Sequence, residues 1–132
     1  MLDELRSVVS QVDTASALLR LKNQGAAFSR AYYEFAMLKN ISMTHPIVWA
    51  EWQRLDKLAG SVQGIMSVLN SRLDTVNGFA EAMFGEQLNL LMGDFLNAYI
   101  LSSIATLKFI TENLVNFNKS IVLPTLQKAN PQ

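Results

Sequence analysis

The chain has 132 residues, half of them apolar, which is the length of one domain with enough apolar side chains to bury a core unaided. Its 11 basic and 11 acidic residues cancel and no like-charge run stands out, so no sequence-wide field is available to attract nucleic acid or anionic lipid. Cysteine is absent, which excludes disulfides, thiolate zinc sites and cysteine nucleophiles.

The amino terminus, Met1 to Arg6, carries Asp3 and Glu4 and shows neither a basic start nor an apolar signal core. From Leu2 to about Lys39, Leu2, Leu5, Val9, Val12, Ser16 and Leu19 recur at alternating spacings of three and four, and Phe28, Tyr32, Phe35 and Leu38 continue the pattern. This predicts one long helix with a weak spot at Asn23 and Gly25, since a helix-interior glycine costs about 1 kcal/mol. Periodicity stops between Asn40 and Pro46. Pro46 suits a first helical turn, where its missing N–H would be unpaired in any case, and Thr44 or His45 is placed at the cap.

The longest uninterrupted stripe runs from Val48 to Val76 through Trp52, Leu55, Ala59, Val62, Met66, Leu69 and Leu73. Its 3.5-residue repeat predicts a coiled-coil-like helix of roughly 43 Å ending near Asn77 and Gly78. Leu58, Ile65 and Val68 widen it, as expected of a central bundle member contacted on more than one side. A short extra helix is predicted near Phe79 to Phe84. A third long helix is placed from Gly85 to about Lys119, with the stripe Leu88, Leu91, Phe95, Ala98, Ser102, Ala105 and Phe109. Leu101, Ile104, Leu107 and Leu114 widen that stripe, Pro124 is expected to stop the helix, and Gln127 to Gln132 to fray. The expected fold is thus all-α, an antiparallel bundle of three long helices over residues 1–124, with 125–132 as a tail.

Leu88 to Ile110 is apolar enough to be weighed as a membrane span. Asp94, Asn97, Ser102, Ser103 and Lys108 interrupt it, and a span wants about 20 predominantly apolar residues, so a buried bundle helix is the better reading.

Little in the chain points to catalysis. His45 is the single histidine, and on a loop before Pro46 it reads as a capping or surface group. Nucleophilic catalysis would need a base and a third group to orient it. A bundle dimetal centre would need Glu-x-x-His on two helices, and no such pair occurs. Gly60 and Gly64 do not sit in a phosphate-loop pattern. No catalytic residue, metal or cofactor is assigned.

Two groups of residues read as an interface. Gly60, Gly64, Ser67 and Ser71 form a small-residue stripe beside the heptad seam, which would let another helix backbone approach closely; tight internal packing or a solvated flank is the competing reading. Among the aromatics around the first turn, most belong in a core, and Tyr33 and Trp49 are the candidates for exposed anchors of a partner.

Tyr32 to Asn40 reads YYEFAMLKN, and Trp49 to Gly85 reads WAEWQRLDKLAGSVQGIMSVLNSRLDTVNGFAEAMFG. In this order of features the chain resembles the middle of TrbJ-like proteins, conjugative transfer proteins of type IV secretion systems related to their minor pilins. The resemblance covers about half the chain and assigns no site residue. It implies a non-enzymatic helical protein, periplasmic or extracellular, that works through contacts with other subunits of a secretion or envelope assembly or with further copies of itself. The rival expectation is a membrane-docked helical protein whose third helix enters lipid.

Overall fold

A computed structural model of the chain describes residues 2–71, 75–84 and 93–125. The described residues are all-helical: α1 (Leu2–Met37), α2 (Lys39–Ser42), α3 (Pro46–Gly60), α4 (Gln63–Asn70), α5 (Val76–Phe84) and α6 (Gly93–Asn116), followed by a π-helical segment, Phe117–Val122. The dominant contact is α1 against α6. These two run in the same direction, since Phe35 near the end of α1 meets Phe117 just past the end of α6. The chain between them returns along α1: Trp52 of α3 stacks on Phe35, and Leu69 of α4 lies against Gly25.

Helix α1 passes through Asn23 and Gly25 without a break. The reason lies in a neighbouring helix: a Cβ added at Gly25 would come within 2.7 Å of Leu69 Cδ1, so the glycine that weakens α1 is what admits α4. The expected stripe over the first half of α1 is out of phase where its side chains are described. Ser16 is exposed and Leu19 is 61% exposed, whereas Thr14, Ala17, Leu18 and Leu21 are buried. The later positions hold, with Phe28 and Phe35 buried and Tyr32 and Leu38 half-buried.

The connection contains the short helix α2. His45 is the N-cap residue of α3, with extended dihedrals and no side-chain cap bond, and Pro46 occupies the first turn. Thr44 Oγ1 donates to the Ile41 carbonyl at 2.6 Å, so it closes the preceding turn and caps nothing ahead.

The long second helix does not form as one piece. Val48, Trp52, Leu55, Ala59 and Val62 are buried in the expected register, but the α ladder stops at Gly60 and resumes at Gln63. Between them the Ser61 and Val62 N–H groups donate three residues back, to Leu58 and Ala59, and Ser61 Oγ donates to the Leu58 carbonyl at 2.6 Å. A serine hydroxyl competing for a backbone carbonyl beside a glycine explains a break there. Helix α4 ends at Asn70, and the backbone turns extended at Ser71, well short of Asn77. Met66 and Leu69 are accordingly only half-buried, and Leu73 lies outside the described residues.

In α6 the period is right and the phase is not. The buried positions are Leu96, Ile100, Ser103, Leu107, Ile110 and Leu114, continuing into Phe117 and Val122. The expected stripe Ala98, Ser102, Ala105 and Phe109 faces solvent, with Phe109 60% exposed. The predicted start at Gly85, together with Leu88 and Leu91, lies outside the described residues, as does the tail from 126 onward. Helical geometry continues through 125, so Pro124 does not stop the helix where expected. The π turn before it has already left the α register, so the proline interrupts no regular α ladder. Among the described residues no helix is long and apolar enough to cross a membrane.

Candidate protein–protein interface

The turn between α1 and α3 is anchored by an aromatic stack. Phe35 is 1% exposed and lies parallel to Trp52, with ring centroids 4.8 Å apart at 5°. Phe117 closes on it edge-on at 5.4 Å and 70°. Trp52 Nε1 donates to the Phe35 carbonyl at 3.0 Å, and the Lys39 ammonium sits 5.8 Å from the Trp52 ring centroid. Stacked and edge-to-face pairs at these separations add to what burial alone supplies, so this cluster ties α1, α3 and the π-helical segment into one unit.

Trp49 belongs to the margin of that cluster. It is half-buried and stacks on Trp52 at 5.4 Å and 16°, which corrects its expected place as an exposed anchor. Residues three apart on a helix diverge by about 60°, yet two indole rings are long enough to meet across that angle. Tyr33 is exposed as expected, at 68%.

Beside the stack, α1 and the α3–α4 junction leave a groove of about 400 Å³ lined by Phe28, Tyr32, Tyr33, Gly60, Val62 and Met66 among others. The break after Gly60 shapes its far wall, and the ring of Phe28, stacked on Tyr32 at 6.0 Å and 18°, shapes the near one. Tyr33 and Gly60, separately predicted, thus come together in one groove. Gly64, Ser67 and Ser71 are exposed on the continuation through α4. A Cβ added at Gly60 or Gly64 would meet no atom within 4 Å, so among the described residues these glycines admit no neighbouring helix. Ser71 lies past the end of α4, where its hydroxyl donates to the Val68 carbonyl at 2.7 Å.

One polar contact fixes the groove that the sequence pattern did not indicate. Tyr32 Oη donates to Asp56 Oδ1 at 2.8 Å, bridging α1 to α3. Burial first, then the hydrogen bond and charge of Asp56, hold the Tyr32 phenol above its ordinary pKa of 10.0. An acid whose folded pKa is raised contributes stability that is fully present below the unfolded value and is lost as pH rises through the folded one. Tyr32→Phe should therefore cost about 1 kcal/mol at neutral pH, the usual net worth of one such bond. The gap from the wild type should narrow as pH climbs past 10, measured as urea midpoints against pH. An equal gap at every pH would show that the bridge does not form.

Among the described residues no charged side chain is buried. Glu51 and Arg54 pair across one turn of α3, with Arg54 Nε 3.1 Å from Glu51 Oε2, and the guanidinium holds the Glu51 carboxyl below its usual range. Among the described residues no cluster of three or more histidine, cysteine, aspartate or glutamate side chains could hold a metal ion. His45 is half-buried at the start of α3, and its side chain makes no cap hydrogen bond there. No family model, curated protein or solved structure matches the chain.

Proposed function

We propose that this chain is a non-enzymatic helical component of a secretion or conjugation apparatus of the type IV kind, working through protein–protein contacts in the periplasm or outside the cell. On this reading the fold is a bundle in which α1 and α6 pack directly on each other and the broken α3–α4 run returns antiparallel to them. The order of motifs from Tyr32 to Gly85 supports the TrbJ-like assignment, and the groove supports contact as the mode of action. An unfilled apolar groove with an exposed tyrosine on its rim and an open glycine face beside it is suited to receive another helix.

Gly64→Leu tests this reading directly. Gly64 is exposed, a Cβ added there meets nothing within 4 Å, and leucine replaces a poor helix former, so the variant should keep its helicity and melt at or above the wild-type temperature. In the host, loss of the gene should abolish plasmid transfer or secretion, with rescue by the wild type and not by Gly64→Leu. Undiminished transfer in the deletion strain overturns the proposal. Rescue by Gly64→Leu removes the α4 face from it, and flotation with liposomes would favour the membrane-docked rival.

A further inference from the structure

The outer face of α6 carries a second heptad seam. Leu101, Ala105, Lys108, Glu112 and Val115 recur at alternating steps of four and three, and every one of them is exposed, as are the flanking Ala98 and Phe109. This seam lies on the side opposite the buried Ile100, Ser103, Leu107, Ile110 and Leu114, and no α6 residue lines the groove described above. Lys108 and Glu112 form no ion pair with any described residue, although they stand one turn apart.

From this pattern we infer that α6 pairs with α6 of a second copy of this chain, antiparallel and about a two-fold axis passing between Lys108 and Glu112. Under that symmetry each contact occurs twice. Lys108 of each copy faces Glu112 of the other, so the two charges that lack an ion-pair partner among the described residues neutralise each other across the seam. Ala105 of each copy faces Val115 of the other, a small residue against a larger one, as interdigitating layers require. Phe109 flanks the central layers and covers them. A parallel pairing would set lysine against lysine and glutamate against glutamate, which costs stability, so the charges select the antiparallel arrangement.

Sedimentation or light scattering on the wild-type chain should give twice the 14.7 kDa monomer mass at high concentration. Lys108→Glu and Glu112→Lys should each be folded by circular dichroism and monomeric, because either change leaves like charges facing. Mixed in equal amounts, the two variants should recover the dimer, since each then supplies the charge the other lacks. A chain without cysteine also allows a register test: Ala105→Cys and Val115→Cys should cross-link on oxidation when mixed and not when separate. A monomeric wild type, single variants that dimerise like the wild type, or a mixture that neither dimerises nor cross-links would each overturn the inference.

Discussion

Phe35→Ala is expected to destabilise the fold by about 3 to 5 kcal/mol, the range for removing a fully buried aromatic ring from a packed core. The ring is the shared surface of three elements: Trp52 of α3 lies flat on it, Phe117 meets it edge-on, and Tyr32 flanks it at 5.9 Å. An alanine leaves a cavity bounded by two other large rings that cannot both move in, because Trp52 is tethered by its indole N–H to the Phe35 carbonyl. Natural domains hold only about 5 to 15 kcal/mol in all, so the variant should be partly unfolded at physiological temperature. Urea unfolding followed by circular dichroism and by tryptophan fluorescence would measure the loss. A cost under about 1 kcal/mol would mean that the stack does not carry the α1–α3 corner.

A buried charge should do more. Leu55→Asp puts a carboxylate at a position 1% exposed, in the middle of α3, and no cation among the described residues is buried to receive it. The charged form is penalised by lost hydration, so the variant should unfold at neutral pH. Desolvation raises the folded pKa of such an aspartate, so whatever stability survives is greatest below the unfolded value of about 4 and is lost as pH rises above it. Helicity that increases on acidification, read by far-UV circular dichroism, is the expected signature. A variant that stays folded at neutral pH would place Leu55 at the surface. Leu69 stands in the same heptad seam yet is half-buried, and an aspartate there could reach water.

The contrast between Leu55 and Leu69 shows what periodicity could and could not convey. Both lie on one stripe, and only the break at Ser61 and Val62 separates a buried position from a half-buried one. That break depends on a serine hydroxyl choosing a backbone carbonyl, a local competition that a repeat of apolar residues does not record. In α6 the difficulty was different. Two stripes lie on opposite faces of the same helix, one rich in leucine and isoleucine and one in alanine and serine, and both satisfy a 3.5-residue repeat. Side-chain size favoured the first, since a core is filled by large branched residues, and spacing alone could not decide.

All-helical character, the turn at Pro46, the α3 register as far as Val62 and the short helix before Phe84 were legible because each rests on local pattern or backbone chemistry. The groove was legible only in fragments. Tyr33 and Gly60 each stood out, but their meeting needs α1 and the α3–α4 junction side by side, and nothing near either residue encodes that. The Tyr32–Asp56 bridge left no pattern at all. Gly25 did leave one, read as a weakness in α1; its use is to make room for Leu69.

The pairing of α1 with α6 also sets a schedule. The apolar face of α1 is synthesised early, and its chief partner lies far along the chain, with 82 positions from Phe35 to Phe117. At about 5 to 20 residues per second, a ribosome leaves that face without its cover for roughly 4 to 16 seconds. During that interval α3 can already fold back and stack Trp52 on Phe35, since their separation in the chain is short and loop closure correspondingly cheap. The nascent protein is therefore a helical hairpin with one open apolar side, and it is at this stage, before α6 emerges, that it most needs protection from other chains.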